Sequence, residues 1–388
     1  MIEKYYDGAI EQVAAGLGTV EKNYLLVRYS GQFSVENLND TKQLEKNEDI
    51  FVQVHEFETG EITCEPYLTM ICDGFRRYMT GTFEEFMETC DVYYLHRPVL
   101  LGYFNQDNTG REEIILLDEV AYEQERMLAA LERMLCAIAD RHPVLFVLNR
   151  FQLASKSTMQ LTARFLKCEN CNIGLVLGVS DIQAMPEFLV PDWEMLYETL
   201  DDGSKIYHIG NSGRKKEETI DDEKYVDYGS EKVYRKLQNM VEFLDFDQAA
   251  YYLETIERKI KFDNLLVDDA ARFRMWLLFV KVSILRQDIP KALEICEDLE
   301  KIHLAGKEEE CAYEQDYLIA TAYMYQGKLK EALEMAGETY RIAGKMSDDY
   351  RMFLSELLEA KIQMSGWYNI FFCAQDVKIK ESLIQNLI

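Results

Sequence analysis

Apolar positions in the first 210 residues fall into two rhythms, helical and extended, that alternate along the chain. The 3.6-residue rhythm predicts helices over about 5–17, closing near Gly18, over 66–78, and over 120–141, with a short one over 83–90 capped by Thr82. A further helix is predicted over 157–168. Unbroken apolar runs predict strands at Tyr24–Tyr29, 50–54, 144–148 and 173–179, with a last one in KIYHIG, while 114–117 fits either class. Runs of five to seven apolar residues set between helices predict a mostly parallel sheet covered on both faces, a three-layer α/β domain over 1–210.

Residues 211–232 are charged, carry no periodic apolar face, and read as a solvated linker. From 233 to 388 the rhythm is helical throughout. LDFDQAAYYLETIER, RQDIPKALEICEDLEK and YQGKLKEALEMAGETYR share one plan, a polar turn followed by a helix that opens on a small residue. Ala250, Ala292 and Ala332 align at intervals of 42 and 40 residues. The preceding helices, RFRMWLLFVKVSIL and YEQDYLIATAYMY, align as well, and a weaker fourth unit starts near Gly366. Helix pairs repeated in this way bury their apolar faces by stacking, so the region is expected to be an all-α repeat domain.

Composition narrows the partners. Against 42 Lys plus Arg stand 69 Asp plus Glu, a net charge of −27, which repels phosphate backbones and anionic membranes. No apolar run approaches the ~20 residues that span a bilayer, and the N-terminus MIEKYYDGAIEQ lacks the pattern of a signal peptide. Nine irregularly placed cysteines fit free thiols in a reducing, cytoplasmic setting.

The residues Ile319, Ala320, Tyr323, Gly327, Ala332 and Ala336 resemble the small and aromatic positions of tetratricopeptide repeats. The spacing of about 40 residues exceeds the usual ~34 and looks like the longer repeats of maltose-regulator proteins. The first 210 residues in turn resemble the signal-transducing P-loop ATPases (the STAND class). The segment ERMLAALERMLCAIADRHPVLFVLNRFQLASKSTMQLTARFL reproduces that class's long helix, its proline-started strand and the helix beyond. IGLVLGV sits where the class has its sensor strand, and EPYLTMICDGFRRY looks like the segment behind its second strand.

The resemblance fails at the chemistry. A phosphate loop, G-x-x-x-x-G-K-[ST], cradles phosphates on backbone N–H groups while its lysine neutralises charge and its hydroxyl holds magnesium. After YLLVRY the chain reads SGQFSVENLND; counted from Gly31, the G-K-[ST] positions hold Glu36, Asn37 and Leu38. The two acids expected after 144–148 are replaced by Asn149 and Arg150, and Ser180 and Asp181 occupy the sensor position. No catalytic residue, metal ligand or cofactor is expected. SKST at 155–158 reads as a helix start capped by Ser155 or Ser157. CENC at 168–171 follows a helix rather than opening one, so it is expected to be a turn rather than a redox pair. The histidines at 55, 96, 142, 208 and 303 form no metal motif.

The expected function is that of a regulatory or scaffold protein, with a degenerate ATPase platform and repeats that bind a protein or peptide. Trp276, Tyr313, Tyr317 and Tyr325 are the candidate partner-binding aromatics. The alternative is a module that binds ATP or ADP without turnover, or the sensory part of a transcriptional activator.

Overall fold

The computed structural model describes residues 2–17, 24–29, 49–58, 62–106, 120–168, 172–180, 185, 187–200, 206–209, 230–263 and 265–373. The expected phosphate-loop positions Gly31, Glu36, Asn37 and Leu38, the ambiguous run 114–117, Asp181, Cys171 and most of the charged linker lie outside them. The chain divides into two compact units. One comprises Met1–Asp227 with Arg235–Tyr252, the other Tyr228–Tyr234 with Leu253–Ile388.

The first unit is α/β. Its five strands are β1 (Tyr24–Tyr29), β2 (Phe51–Glu56), β3 (Val144–Asn149), β4 (Ile173–Ser180) and β5 (Ile206–Ile209). They form one sheet in the order β2-β3-β4-β1-β5, with every pair parallel. Alternate residues feed two cores, as the two-residue period of a strand requires. Leu26, Phe146, Leu148, Leu175 and Leu177 join the larger one, which includes helices α2 (Glu65–Tyr78), α3 (Phe83–Thr89), α4 (Arg97–Asn105), α5 (Val120–Ala139), α6 (Lys156–Lys167) and α7 (Val190–Thr199). Leu25, Val27, Leu145, Val147 and Val176 join the smaller one, closed by Ala9, Ile10 and Val13 of α1 (Ile2–Gly16). A three-layer α/β unit follows, with helices on both faces. Gly174 of β4 lies under α1, where a Cβ would meet Val13 at 2.8 Å. Thr82 caps α3 in a capping box with Glu85, as its sequence predicts. Helices α4 and α7 were not expected from the sequence.

The rest of the chain is helical. α8 (Glu231–Glu242) and α9 (Phe246–Phe262) are each divided between the two units, and the second unit continues with α10 (Asp269–Leu285), α11 (Ile289–Leu299), α12 (Glu308–Gln326), α13 (Leu329–Met346) and α14 (Asp349–Cys373). One turn recurs. Leu244, Gln287, Gly327 and Ser347 are all left-handed, with φ of 64°, 64°, 79° and 56°. The N–H after each reaches back to close the helix end: Asp245 to Met240 at 2.7 Å, Asp288 to Ser283 at 2.9 Å, Lys328 to Tyr323 at 2.9 Å, Asp348 to Ala343 at 3.1 Å. Carbonyls left open by the helix end are thereby satisfied and the chain reverses in two residues. Ala250, Ala292 and Ala332 are all buried, as expected of positions where paired helices approach closely. Among the described residues, no helix is long and apolar enough to cross a membrane.

Candidate functional site at the carboxyl edge of the sheet

In an open parallel sheet, ligands bind outside the carboxyl ends of strands whose connections depart in opposite directions. Here those strands are β1, which connects across the sheet to β2, and its neighbour β4, which connects past β1 to β5. The register sets Tyr29 at the end of β1 beside Ser180 at the end of β4. β3, next to β4, ends in Asn149.

These ends are tied to one another. The Tyr29 hydroxyl donates to Asn149 Oδ1 at 2.6 Å, and both side chains are buried. Burial holds the Tyr29 phenol well above the usual tyrosine range, so it stays protonated and available as a donor. The Asn149 carbonyl accepts from Phe57 N at 3.0 Å. Arg150 then turns left-handed, with φ 53°, and starts a short 3-10 turn, Phe151–Leu153. That turn delivers Gln152, whose buried amide works like an extra strand against β4. Its Nε2 donates to the Ser180 carbonyl at 3.2 Å, and its Oε1 accepts from Ser180 N at 3.3 Å. The position where the resemblance places a magnesium carboxylate therefore holds a neutral amide already bound to a tyrosine.

The start of α6, where SKST lies, is equally committed. Ser155 is the N-cap, and its Oγ accepts from Thr158 N at 3.1 Å. Lys156 N donates to Gln248 Oε1 at 3.3 Å, and Ser157 N to Asp245 Oδ2 at 3.3 Å. Thr158 Oγ1 accepts from Cys64 N at 2.9 Å, and Lys156 Nζ pairs with Asp247 at 2.7 Å. A helix N-terminus attracts anions, and the anion here is the protein's own Asp245. Burial pushes the Asp245 carboxyl up to about 6, against the hydrogen bonds to Ser157 and the nearby Lys156 ammonium, which act the other way.

A cluster of a buried histidine, a buried glutamate and a partly exposed arginine was not legible in the sequence. His96 Nε2 lies 3.1 Å from Glu123 Oε2, and Arg126 lies 3.2 Å from Oε1 of the same carboxylate and over the Tyr93 ring. The only hint is the i,i+3 spacing of Glu123 and Arg126 on one helix face; their meeting with His96 depends on how α4 and α5 pack. Among the described residues, no group of three or more His, Cys, Asp or Glu is placed to hold a metal ion. Cys64, Cys72, Cys90, Cys296 and Cys311 are free thiols, and Cys168 follows the last residue of α6.

The four candidate aromatics of the repeats differ in access. Trp276 and Tyr313 are packed inside, Trp276 edge-on to Phe279 and Tyr313 donating to the Arg351 carbonyl at 3.0 Å. Tyr317 and Tyr325 are half-buried. Of the four, only these two offer surface to a partner. No protein-family model matches the chain, and no curated protein matches it in sequence.

Proposed function

We propose that the chain is a non-catalytic regulatory or scaffold protein, in which a P-loop-like sheet unit without ATPase chemistry accompanies tetratricopeptide-like helix pairs that bind a protein or peptide. The single observation that carries this reading is the Tyr29–Asn149 hydrogen bond at the end of β3. Phosphoryl transfer needs preorganised charge where negative charge develops, and this neutral pair supplies none. The intramolecular capping of α6 by Asp245 supports the same view, since that N-terminus has no free donors to offer a phosphate. The recurring left-handed turns and buried alanines support the repeat reading. The free thiols of Cys64, Cys72, Cys90, Cys296 and Cys311 fit a cytoplasmic protein.

The test is a melting curve with and without ATP or ADP plus magnesium. A ligand at 100 times its dissociation constant stabilises by about 2.7 kcal/mol, a shift of several degrees. The expected result is no shift with any nucleotide. A clear shift would establish a nucleotide-sensing module instead.

A further inference from the structure

Helix α14 carries apolar side chains on two opposite faces. Ser355, Leu358 and Ile362 are buried, and Leu358 and Ile362 pack with Ala332 and Ala336 of α13. Tyr350, Phe353, Leu357, Ala360 and Met364 fall half a turn away, and all are exposed, Phe353 by 57% and Met364 by 62%. A helix apolar on both sides belongs in an interior, and contiguous exposed apolar surface marks an interaction site.

The spacing of this second face names its partner. Tyr350, Leu357 and Met364 recur every seven residues, and Phe353 and Ala360 interleave at the intervening three or four. Those are the a and d positions of a heptad, the seam of a coiled coil. Trp367 and Phe371 extend the same register in the sequence. In a parallel pair of such helices, the g position of one heptad faces the e position of the next heptad on the partner. Here g is Glu356 and e is Lys361. Neither makes an ion pair among the described residues. Two-fold symmetry joins them twice, Glu356 to Lys361 and Lys361 to Glu356, as a self-complementary interface requires. An antiparallel pair would set g against g and e against e and would lose both bridges.

We propose that this face of α14 is a homodimer interface, a short parallel coiled coil with a second copy of the chain. The inference is independent of the nucleotide question. Its test is the solution mass of the full chain, followed by light scattering across a concentration series. A dimer is expected. Leu357→Lys should convert it to monomer with a largely unchanged helical circular-dichroism spectrum, because Leu357 is 38% exposed and lies opposite the buried face of Leu358 and Ile362. Glu356→Lys and Lys361→Glu should each weaken association, and the double exchange should restore most of it. A chain that stays monomeric at every concentration overturns the proposal, as does a dimer indifferent to Leu357→Lys. If the chain is monomeric and both Leu357→Lys and removal of residues 374–388 lower its melting temperature, the face is covered from within the chain, which also overturns it.

Discussion

Asp245 concentrates the opposing forces that act on a single buried group. Full burial and Asp247 disfavour the carboxylate, while the hydrogen bonds to Ser157 at the helix N-terminus and the Lys156 ammonium favour it. Desolvation is the largest of these influences, so the carboxyl sits at about 6 instead of 3.8. The sign follows from linkage: the folded state holds the proton more tightly than the unfolded chain does. Ionised Asp245 therefore weighs against folding above pH 6, by on the order of 3 kcal/mol for a shift of that size, and the burden fades as pH falls toward 4. Asp245→Asn removes the titration. The wild type should accordingly gain melting temperature relative to this variant as pH is lowered from 7.5 to 5. A difference that is flat with pH, or that widens in the variant's favour, would show that Asp245 stays fully ionised. Little of this was legible beforehand. The sequence marks Asn149 and Arg150 as departures from an ATPase pattern, but Tyr29, the partner of Asn149, lies 120 residues away. Only the strand order brings the two together. Asp245 likewise reads as a turn residue, and its role as cap for a helix 88 residues upstream depends on packing.

At the scale of elements, much more was readable, because hydrophobic period and turn chemistry are local. The strands fall within two residues of their expected bounds, and the start of α6 follows from its Ser155 cap. Helices α4 and α7 escaped notice; both open through a proline, and α7 has a short, mixed apolar pattern. The reversal at Gly327 is visible in sequence, since glycine accepts a left-handed φ freely, whereas Leu244 and Gln287 do the same work without the signal. This gives a prediction about one chemical change in two places. Gly327 has φ 79°, so Gly327→Ala strains the turn and should destabilise by about 1 kcal/mol. Gly337 lies inside α13, where a Cβ meets nothing within 4 Å, so Gly337→Ala should stabilise by about 0.5–1 kcal/mol. Urea midpoints of the two variants must move in opposite directions. Equal signs would mean that the turn at Gly327 does not govern how α12 reverses into α13.

For the whole molecule, the dominant electrostatic fact is the imbalance of 69 acidic against 42 basic residues. Many of the cations are already engaged. Lys261 bridges Glu257, Glu294 and Asp298, Lys291 bridges Glu257 and Glu294, and Arg351 bridges Glu314 and Asp348. Salt acts on these attractions and on the net repulsion in opposite directions. Exposed pairs contribute only about 0–1 kcal/mol each. The repulsion is a sum over the 27 acids in excess, and compaction brings all of them closer together. Repulsion should therefore win, and added sodium chloride should raise the melting temperature until the screening length falls to about 8–10 Å, near 0.1–0.15 M salt. The effect should be steepest at pH 8, where the carboxylates are all charged, and shallower near pH 5. If melting temperature falls with salt instead, the ion-pair networks of the helical unit outweigh the net charge. The coiled-coil proposal makes a matching demand on the same titration. Its two Glu356–Lys361 bridges lose strength with salt while repulsion between two acidic copies is screened, so association should tighten from low to moderate salt rather than weaken.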